Sequence, residues 1–200
     1  MNTLCILASP NKTSSISRNV ADRLLEKLKH VNESTKVHTR DLADAPPPHW
    51  GEREATAALL PAEKRTSEQT KLLALSDSLC SELKSVHTLV IATPMWNFGV
   101  PSVLKAWVDH IVRAGITFQY GQNGPKGLLQ NLKNVYLVEA TGGVYLENPA
   151  TPMNHVGPYL KHLFQWLGAE NIITITAPGT AINSDAALNS AMSQLEQIFK

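Results

Sequence analysis

Three short stretches carry residue types that point to chemistry rather than to packing. Residues 9–17 run Ser9, Pro10, Asn11, Lys12, Thr13, Ser14, Ser15, Ile16, Ser17. If a helix follows, its free N–H groups and positive dipole end join these hydroxyls, a combination that suits one small anion such as a terminal phosphate. The stretch has no glycine, so it is neither GxGxxG nor a Walker loop, and a pyrophosphate held by close backbone approach is not expected. The same serines also read as plain helix caps at Ser15 or Ser17. Residues 93–102 read TPMWNFGVPS. There Met95, Trp96, Asn97 and Phe98 offer a wall for a flat aromatic ring system, with Gly99 relieving crowding and Asn97 supplying polar contacts. Aromatic plugs in an ordinary strand-to-helix loop are the plainer alternative. The third stretch is Ala140-Thr141-Gly142-Gly143, whose paired glycines either expose backbone N–H groups to a ligand or simply turn the chain.

The elements around these stretches must bring them together. Apolar, β-branched-rich runs at Thr3–Ala8, Lys36–Asp41, Val86–Ala92, Asn134–Ala140 and Asn171–Thr176 read as strands. Between them lie segments of helical period. Arg18–Val31 places Ala21, Leu24, Leu25 and Leu28 on one stripe, and Ser67–Lys84 places Leu72, Leu75, Leu79 and Leu83. Pro101–Arg113 carries Leu104, Trp107, Val108 and Ile111, begins with proline in its first turn and ends at Gly115. Two more helices, Tyr159–Leu167 and Asp185–Phe199, complete the alternation. The first and third runs are apolar on both faces, as in a parallel sheet covered on each side. The pattern predicts an α/β, flavodoxin-like, doubly wound five-stranded parallel sheet of order 2-1-3-4-5, with ligands at the carboxyl ends of strands one and three. All three chemistry-bearing stretches then share one sheet edge.

Two stretches interrupt the alternation. Ala45–Glu63 is proline-rich without a strong period, and Gly115–Leu129 holds a short alternating strand and the turn signal Asn123-Gly124. Each reads as a surface loop, or as a cover over a site or a subunit contact.

Composition narrows the function. The chain has 200 residues, 43% of them hydrophobic, which suits one domain spanning 1–200. Lysine and arginine number 18 against 17 acids, so no global field recruits nucleic acid or an anionic membrane. Cys5 and Cys80 lie in no CxxC and near no histidine at ligand spacing, so they read as buried reduced thiols, and no metal site is expected. The start MNTLCILASPNK lacks a basic leader and a cleavage site, and no apolar run approaches a membrane span. A soluble, cytoplasmic protein is expected. A signalling receiver needs an aspartate where Thr93-Pro94 stand, and a serine hydrolase needs a GxSxG elbow that is absent.

The block from Pro94 to Leu129, PMWNFGVPSVLKAWVDHIVRAGITFQYGQNGPKGLL, is joined by TGG at Thr141–Gly143, RDL at Arg40–Leu42 and the serine loop. Together these resemble the FMN-dependent NADH-azoreductase and NADH:quinone oxidoreductase family over nearly the whole chain. The resemblance implies FMN phosphate contacts at Ser9, Ser15, Ile16 and Ser17. It implies ring contacts at Met95, Trp96, Asn97 and Phe98 and at Ala140, Thr141, Gly142 and Gly143. Many family members have tyrosine in place of Trp96 and serine-arginine in place of Ala140-Thr141; the second departure removes a cation. The implied reaction is ping-pong: NADH or NADPH reduces the flavin and leaves, and a quinone or azo compound takes the same face. Backbone N–H groups near Asn97 and Gly142-Gly143 are expected at the flavin edge. Water suffices as proton source, so no catalytic side chain is required, with His155 the one candidate donor. Phe98, Tyr120, His155 and Phe164 are candidate substrate-pocket walls in a homodimer, and Lys105 and Arg113 read as ordinary helix-face charges. A flavodoxin-like electron carrier with no enzymatic turnover is the alternative.

Overall fold

The computed structural model describes residues 2–145 and 151–200. The chain opens with β1 (Asn2–Leu7), α1 (Ile16–Val31) and β2 (Lys36–Asp41), followed by α2 (Glu52–Ala58), a 3-10 turn at Ala62–Lys64 and α3 (Ser67–Lys84). Next come β3 (Thr88–Pro94), α4 (Ser102–Ile111), β4 (Phe118–Gly121), β5 (Gly124–Gly127) and β6 (Asn134–Thr141). The last elements are α5 (Val156–Leu167), β7 (Asn171–Pro178) and α6 (Ser184–Ile198). Five strands form a sheet of order β2-β1-β3-β6-β7, and all its pairings are parallel. This is the doubly wound order expected from the alternation, with β4 and β5 set apart as an antiparallel hairpin.

Alternation along the strands divides the core. Leu4, Ile6, Leu89, Ile91, Val135 and Leu137 face the layer of α3, α4 and α5, while Cys5, Val90, Tyr136 and Val138 face α1 and α6. Successive side chains of a strand point to opposite faces, so runs buried on both faces must be apolar throughout. Burial of this apolar surface supplies the main driving force.

Two helix readings need correction. On α3 the buried residues are Leu73, Ser76, Leu79, Cys80 and Leu83, and Leu75 is exposed. The reason is polar: Ser76 Oγ donates to the His110 carbonyl at 2.6 Å, where α4 runs out of intrahelical partners. Arg113 is no surface charge either. It is 2% exposed, with Ser76 accepting from its guanidinium, Asp77 3.3 Å away and the Trp50 ring beneath it at 5.5 Å.

Residues 45–63 are pinned to this same layer. His110 Nε2 lies 2.9 Å from the Pro48 carbonyl and the Trp50 and His110 rings meet edge to face at 5.0 Å. In the hairpin, Gly124 takes the left-handed conformation at φ 99, as the residue after a tight turn often does. Among the described residues, no helix is long and apolar enough to cross a membrane.

Candidate functional site

The sheet edge at the carboxyl ends of β1, β3 and β6 gathers the three chemistry-bearing stretches, because these strands are neighbours. At β1 the chain leaves through Ser9, which is buried, and enters α1 at Ser15. Ser15 caps the helix: its Oγ accepts from Arg18 N–H at 3.4 Å and its carbonyl from Asn19 N–H at 3.1 Å. The N–H groups of Ile16 and Ser17 are left without an acceptor among the described residues, as the first turn of any helix leaves them. The buried Ser17 hydroxyl lies 3.2 Å from Ser15 Oγ. Asn11 shapes the loop ahead of them, its Oδ1 accepting from Thr13 and Ser14 N–H at 3.1 and 3.0 Å.

Sequence reasoning missed the brace behind this loop. Arg18 Nε donates to the Ser9 carbonyl at 3.1 Å, and its guanidinium grips Asp41, at the end of β2, through bonds of 2.7 and 2.8 Å. The hydrogen bond from Arg18 holds the Asp41 carboxyl below its usual range, against the opposing effect of burial. No local pattern flags a pair 23 positions apart in sequence; only the register of β1 on β2 brings the two together.

At β3 the chain does something costly. Trp96 and Gly99 exchange both backbone hydrogen bonds at 2.9 Å, closing a turn whose central residues, Asn97 at φ 47 and Phe98 at φ 66, are both left-handed. Asparagine tolerates that region but phenylalanine does not, and strain of this kind collects at functional sites. The turn is anchored on two sides: Met95 N–H donates to the Ala140 carbonyl and His155 N–H to the Phe98 carbonyl, each at 2.9 Å. Trp96 and Phe98 are exposed, and the Phe98 ring meets Tyr145 edge to face at 6.2 Å.

At β6, Ala140 and Thr141 are buried and Thr141 Oγ1 donates to the Gly143 carbonyl at 2.8 Å. The loop after β7 supports this stretch: N–H groups of Gly179, Thr180 and Ala181 donate to the carbonyls of Gly143, Thr141 and Gly142 at 3.0, 2.9 and 3.1 Å. That support was also missed by sequence reasoning, although Gly179 was its one visible signal. A side chain at Gly142 would meet only the Ala181 methyl, at 3.6 Å, which is ordinary contact. Packing within the chain therefore does not demand glycine there.

The structure brings Ser9, Ser15, Ile16, Ser17, Met95 to Phe98 and Ala140 to Gly143 to one edge, with His155 against Phe98. It does not bring Tyr120 and Phe164 there. Tyr120 stands 76% exposed beside a cleft of about 620 Å³ that it shares with Leu59, Leu60, Arg65 and Ile116. Phe164 is fully buried among Trp107 and the other core residues under α5, so it lines no open pocket of this chain. Its place on the inner stripe of an amphipathic helix explains why.

Residues 1–199 match the family model described as having the flavodoxin-like fold. The chain is also 41% identical to an FMN-dependent NADH:quinone oxidoreductase of Rhizobium leguminosarum bv. trifolii, across 99% of this chain and 98% of that one. This chain belongs to the FMN-dependent NADH:quinone oxidoreductase family. A member from Hydrogenovibrio crunogenus is 40% identical, covering 98% of this chain and 96% of its own. Among solved structures, an FMN-dependent NADH-azoreductase from Bacillus anthracis str. Ames Ancestor, in complex with FMN, superposes with a TM-score of 0.89. It is 30% identical, with 99% of this chain and 97% of that chain covered.

Proposed function

We propose that this chain, as one flavodoxin-like domain spanning 1–200, is an FMN-dependent NADH:quinone oxidoreductase that also reduces aromatic azo compounds. The observation that carries the reading is the Trp96–Gly99 turn, where two non-glycine residues are held left-handed beside a helix N-terminus with free donors. Nothing in folding alone rewards that expense at an exposed turn. When bound, FMN supplies a ring that accepts a hydride from a reduced nicotinamide and passes two electrons to an acceptor.

The residues of the chain do the rest. Ile16 and Ser17 N–H groups, with the Ser9, Ser15 and Ser17 hydroxyls, hold the phosphate, where the α1 dipole favours negative charge. Met95, Trp96 and Phe98 wall the ring, and the turn directs backbone N–H groups near Asn97 toward its edge. Gly142 and Gly143 let the ring lie against backbone, and their N–H groups favour negative charge developing on the reduced ring. Electron donor and acceptor use the same open face in turn, so flat quinones and azo compounds are admitted by shape. NADH is the donor of the family, with NADPH as the second candidate. Protons come from water, or from His155, which is exposed at the start of α5.

The functional unit is a homodimer in the cytoplasm. Leu59 and Tyr120, exposed beside one apolar-walled cleft, suit cover by a second copy, and Tyr120 would then reach a substrate only across that interface. Free, buried Cys5 and Cys80 suit a reducing compartment. A non-enzymatic electron carrier is not favoured, since the relatives named above are oxidoreductases.

The deciding experiment is the absorbance spectrum of the purified protein with FMN, before and after anaerobic NADH, followed by turnover with menadione. A bound flavin that bleaches and is reoxidised by menadione supports the enzyme. Bleaching without turnover would leave the carrier, and no flavin binding would reject both.

A further inference from the structure

Where β6 ends, three successive carbonyls turn the same way. Those of Thr141, Gly142 and Gly143 accept from the N–H groups of Thr180, Ala181 and Gly179, at 2.9, 3.1 and 3.0 Å. A trans peptide points its N–H opposite to the carbonyl in its own plane, so the N–H groups of Gly142, Gly143 and Val144 turn away from the loop after β7. None of the three has an acceptor among the described residues. Successive N–H groups presented on one side favour negative charge beside them. Two of these residues are glycines, which have the freest backbone of any residue type, so the array holds its aim only if something ties it. Thr141 supplies the tie. Its side chain is buried, and its Oγ1 donates to the Gly143 carbonyl, two residues on, at 2.8 Å. The ring closed by that bond contains the φ and ψ of both glycines. Threonine is stiff at χ1, so the arm that closes the ring has little freedom of its own. The Gly143 carbonyl already accepts from Gly179, and the hydroxyl therefore adds restraint to a group whose hydrogen bond is made without it.

We propose that Thr141 is a positioning residue for the glycine edge of the site: its hydroxyl fixes the Gly142 and Gly143 peptides, so that the N–H groups of Gly142, Gly143 and Val144 are aimed at the flavin ring in advance and raise its reduction potential. The inference rests on the reading of Ala140 to Gly143 as a flavin wall. Negative charge builds on the ring when it is reduced, and donors already in place hold the reduced ring more tightly than the oxidised one. The Thr141 hydroxyl, given to Gly143, carries no proton in the reaction and acts on the ring only through these N–H groups. Thr141→Val replaces the hydroxyl by a methyl at nearly the same volume and opens the ring of bonds. Thr141→Ser keeps the hydroxyl and should keep the device.

The test needs no flavin for its first arm. Hydrogen exchange on the flavin-free protein should show the amides of Gly179 and Ala181, which donate to the tied glycines, exchanging about five-fold faster in Thr141→Val than in wild type. The amides of β1 should not change, and Thr141→Ser should match wild type. The second arm measures the two-electron midpoint potential of bound FMN against reference dyes. Thr141→Val should lose about ten-fold in its preference for reduced over oxidised FMN, a potential about 30 mV lower, and Thr141→Ser should retain the wild-type potential. If Thr141→Val does not fold, Thr141→Ala removes the same hydroxyl and gives the same readouts. Faster exchange with an unchanged potential would overturn the inference, since the hydroxyl would then serve the fold alone. Unchanged exchange in Thr141→Val, or a Thr141→Ser variant as impaired as the valine, would overturn it too. Failure of the wild-type protein to bind FMN would refute the proposed function and this inference with it, whereas a wild type that binds FMN beside a Thr141→Val variant of unchanged potential refutes this inference alone.

Discussion

Removing the Arg18 guanidinium tests the brace behind the phosphate loop. The Arg18 and Asp41 side chains are 11% and 18% exposed and joined by a contact of 2.7 Å, and Arg18 also holds the Ser9 carbonyl. Breaking a fully buried pair costs about 3–5 kcal/mol and an exposed one under about 1. With a sliver of each side chain in water, Arg18→Met should cost about 2–3 kcal/mol at pH 7. Much of that is the penalty of leaving Asp41 charged and unpaired, so Asp41→Asn should lose less. Adding Arg18→Met to Asp41→Asn should cost only about 1 kcal/mol more, a coupling of roughly 1–2 kcal/mol.

The pH dependence carries a sign. Asp41 in the folded wild type titrates below its usual value, chiefly because of the bond from Arg18. A carboxyl so depressed stabilises the fold fully above its unfolded value, near 3.9, and loses that contribution as pH falls through the folded value. In Arg18→Met the same carboxyl, now desolvated without a cation, should titrate above the unfolded value. Its penalty is then present at neutral pH and relieved as pH falls toward 4. Urea denaturation at pH 7 and pH 4 should therefore show the gap between wild type and variant narrowing by about 1 kcal/mol or more. A gap below about 0.5 kcal/mol at pH 7, or one that does not narrow, would refute the reasoning. Freed from Arg18, the Ser9 carbonyl should also let the loop wander, with FMN affinity falling about ten-fold in fluorescence titration.

Three further outcomes follow from the geometry. Ser9→Ala and Ser17→Ala should each weaken FMN binding about 10- to 100-fold, equivalent to about 1.5–3 kcal/mol for a hydrogen bond to a charged group, and unchanged affinity in both would reject the phosphate assignment. A methyl at Gly127 would lie 2.1 Å from the Leu167 carbonyl carbon, so Gly127→Ala should lower stability by about 2 kcal/mol or more in urea melts. Burial pushes the Cys5 and Cys80 thiols up to about 12 and about 11, so the native protein at pH 8 should resist iodoacetamide while the urea-unfolded chain reacts at both positions.

How much of this the sequence disclosed depends on how local each feature is. The runs Leu4 to Ile6 and Leu89 to Ala92 are apolar on both faces, a property of adjacent residues, so a covered parallel sheet was legible in them, and the alternation of strands with helices gave its doubly wound order. The Trp96–Gly99 turn was visible as an excess of special residues, but its left-handed conformation was not. Arg113 looked like any charged residue at a helix end because its partners, Ser76, Asp77 and Trp50, come from two other segments. The α3 stripe was misread at Leu75 for the same reason, since what draws Ser76 inward is a carbonyl of α4. Helix α2 left no legible period, having only Ala57 buried. Phe164 shows the converse error: an aromatic near the site in sequence pattern belongs to the core when its helix turns it inward.

The cost of the left-handed turn explains why so much of the support lies outside it. Two non-glycine residues at φ 47 and φ 66 cost about 1–2 kcal/mol each when nothing offsets them, less for asparagine. The reciprocal bonds between Trp96 and Gly99 close the turn but would close a relaxed one equally well, so they cannot select it. What selects it are the bonds to elements that cannot follow a relaxing chain: Met95 N–H on β6 and the Phe98 carbonyl on the start of α5. The first anchor is part of the sheet. The second hangs on the start of α5, where Asn154 Oδ1 accepts from Val156 N–H at 2.9 Å. The strained turn is thus pinned from the sheet on one side and from the start of α5 on the other, so the exposed aromatic wall is in place before any ligand arrives.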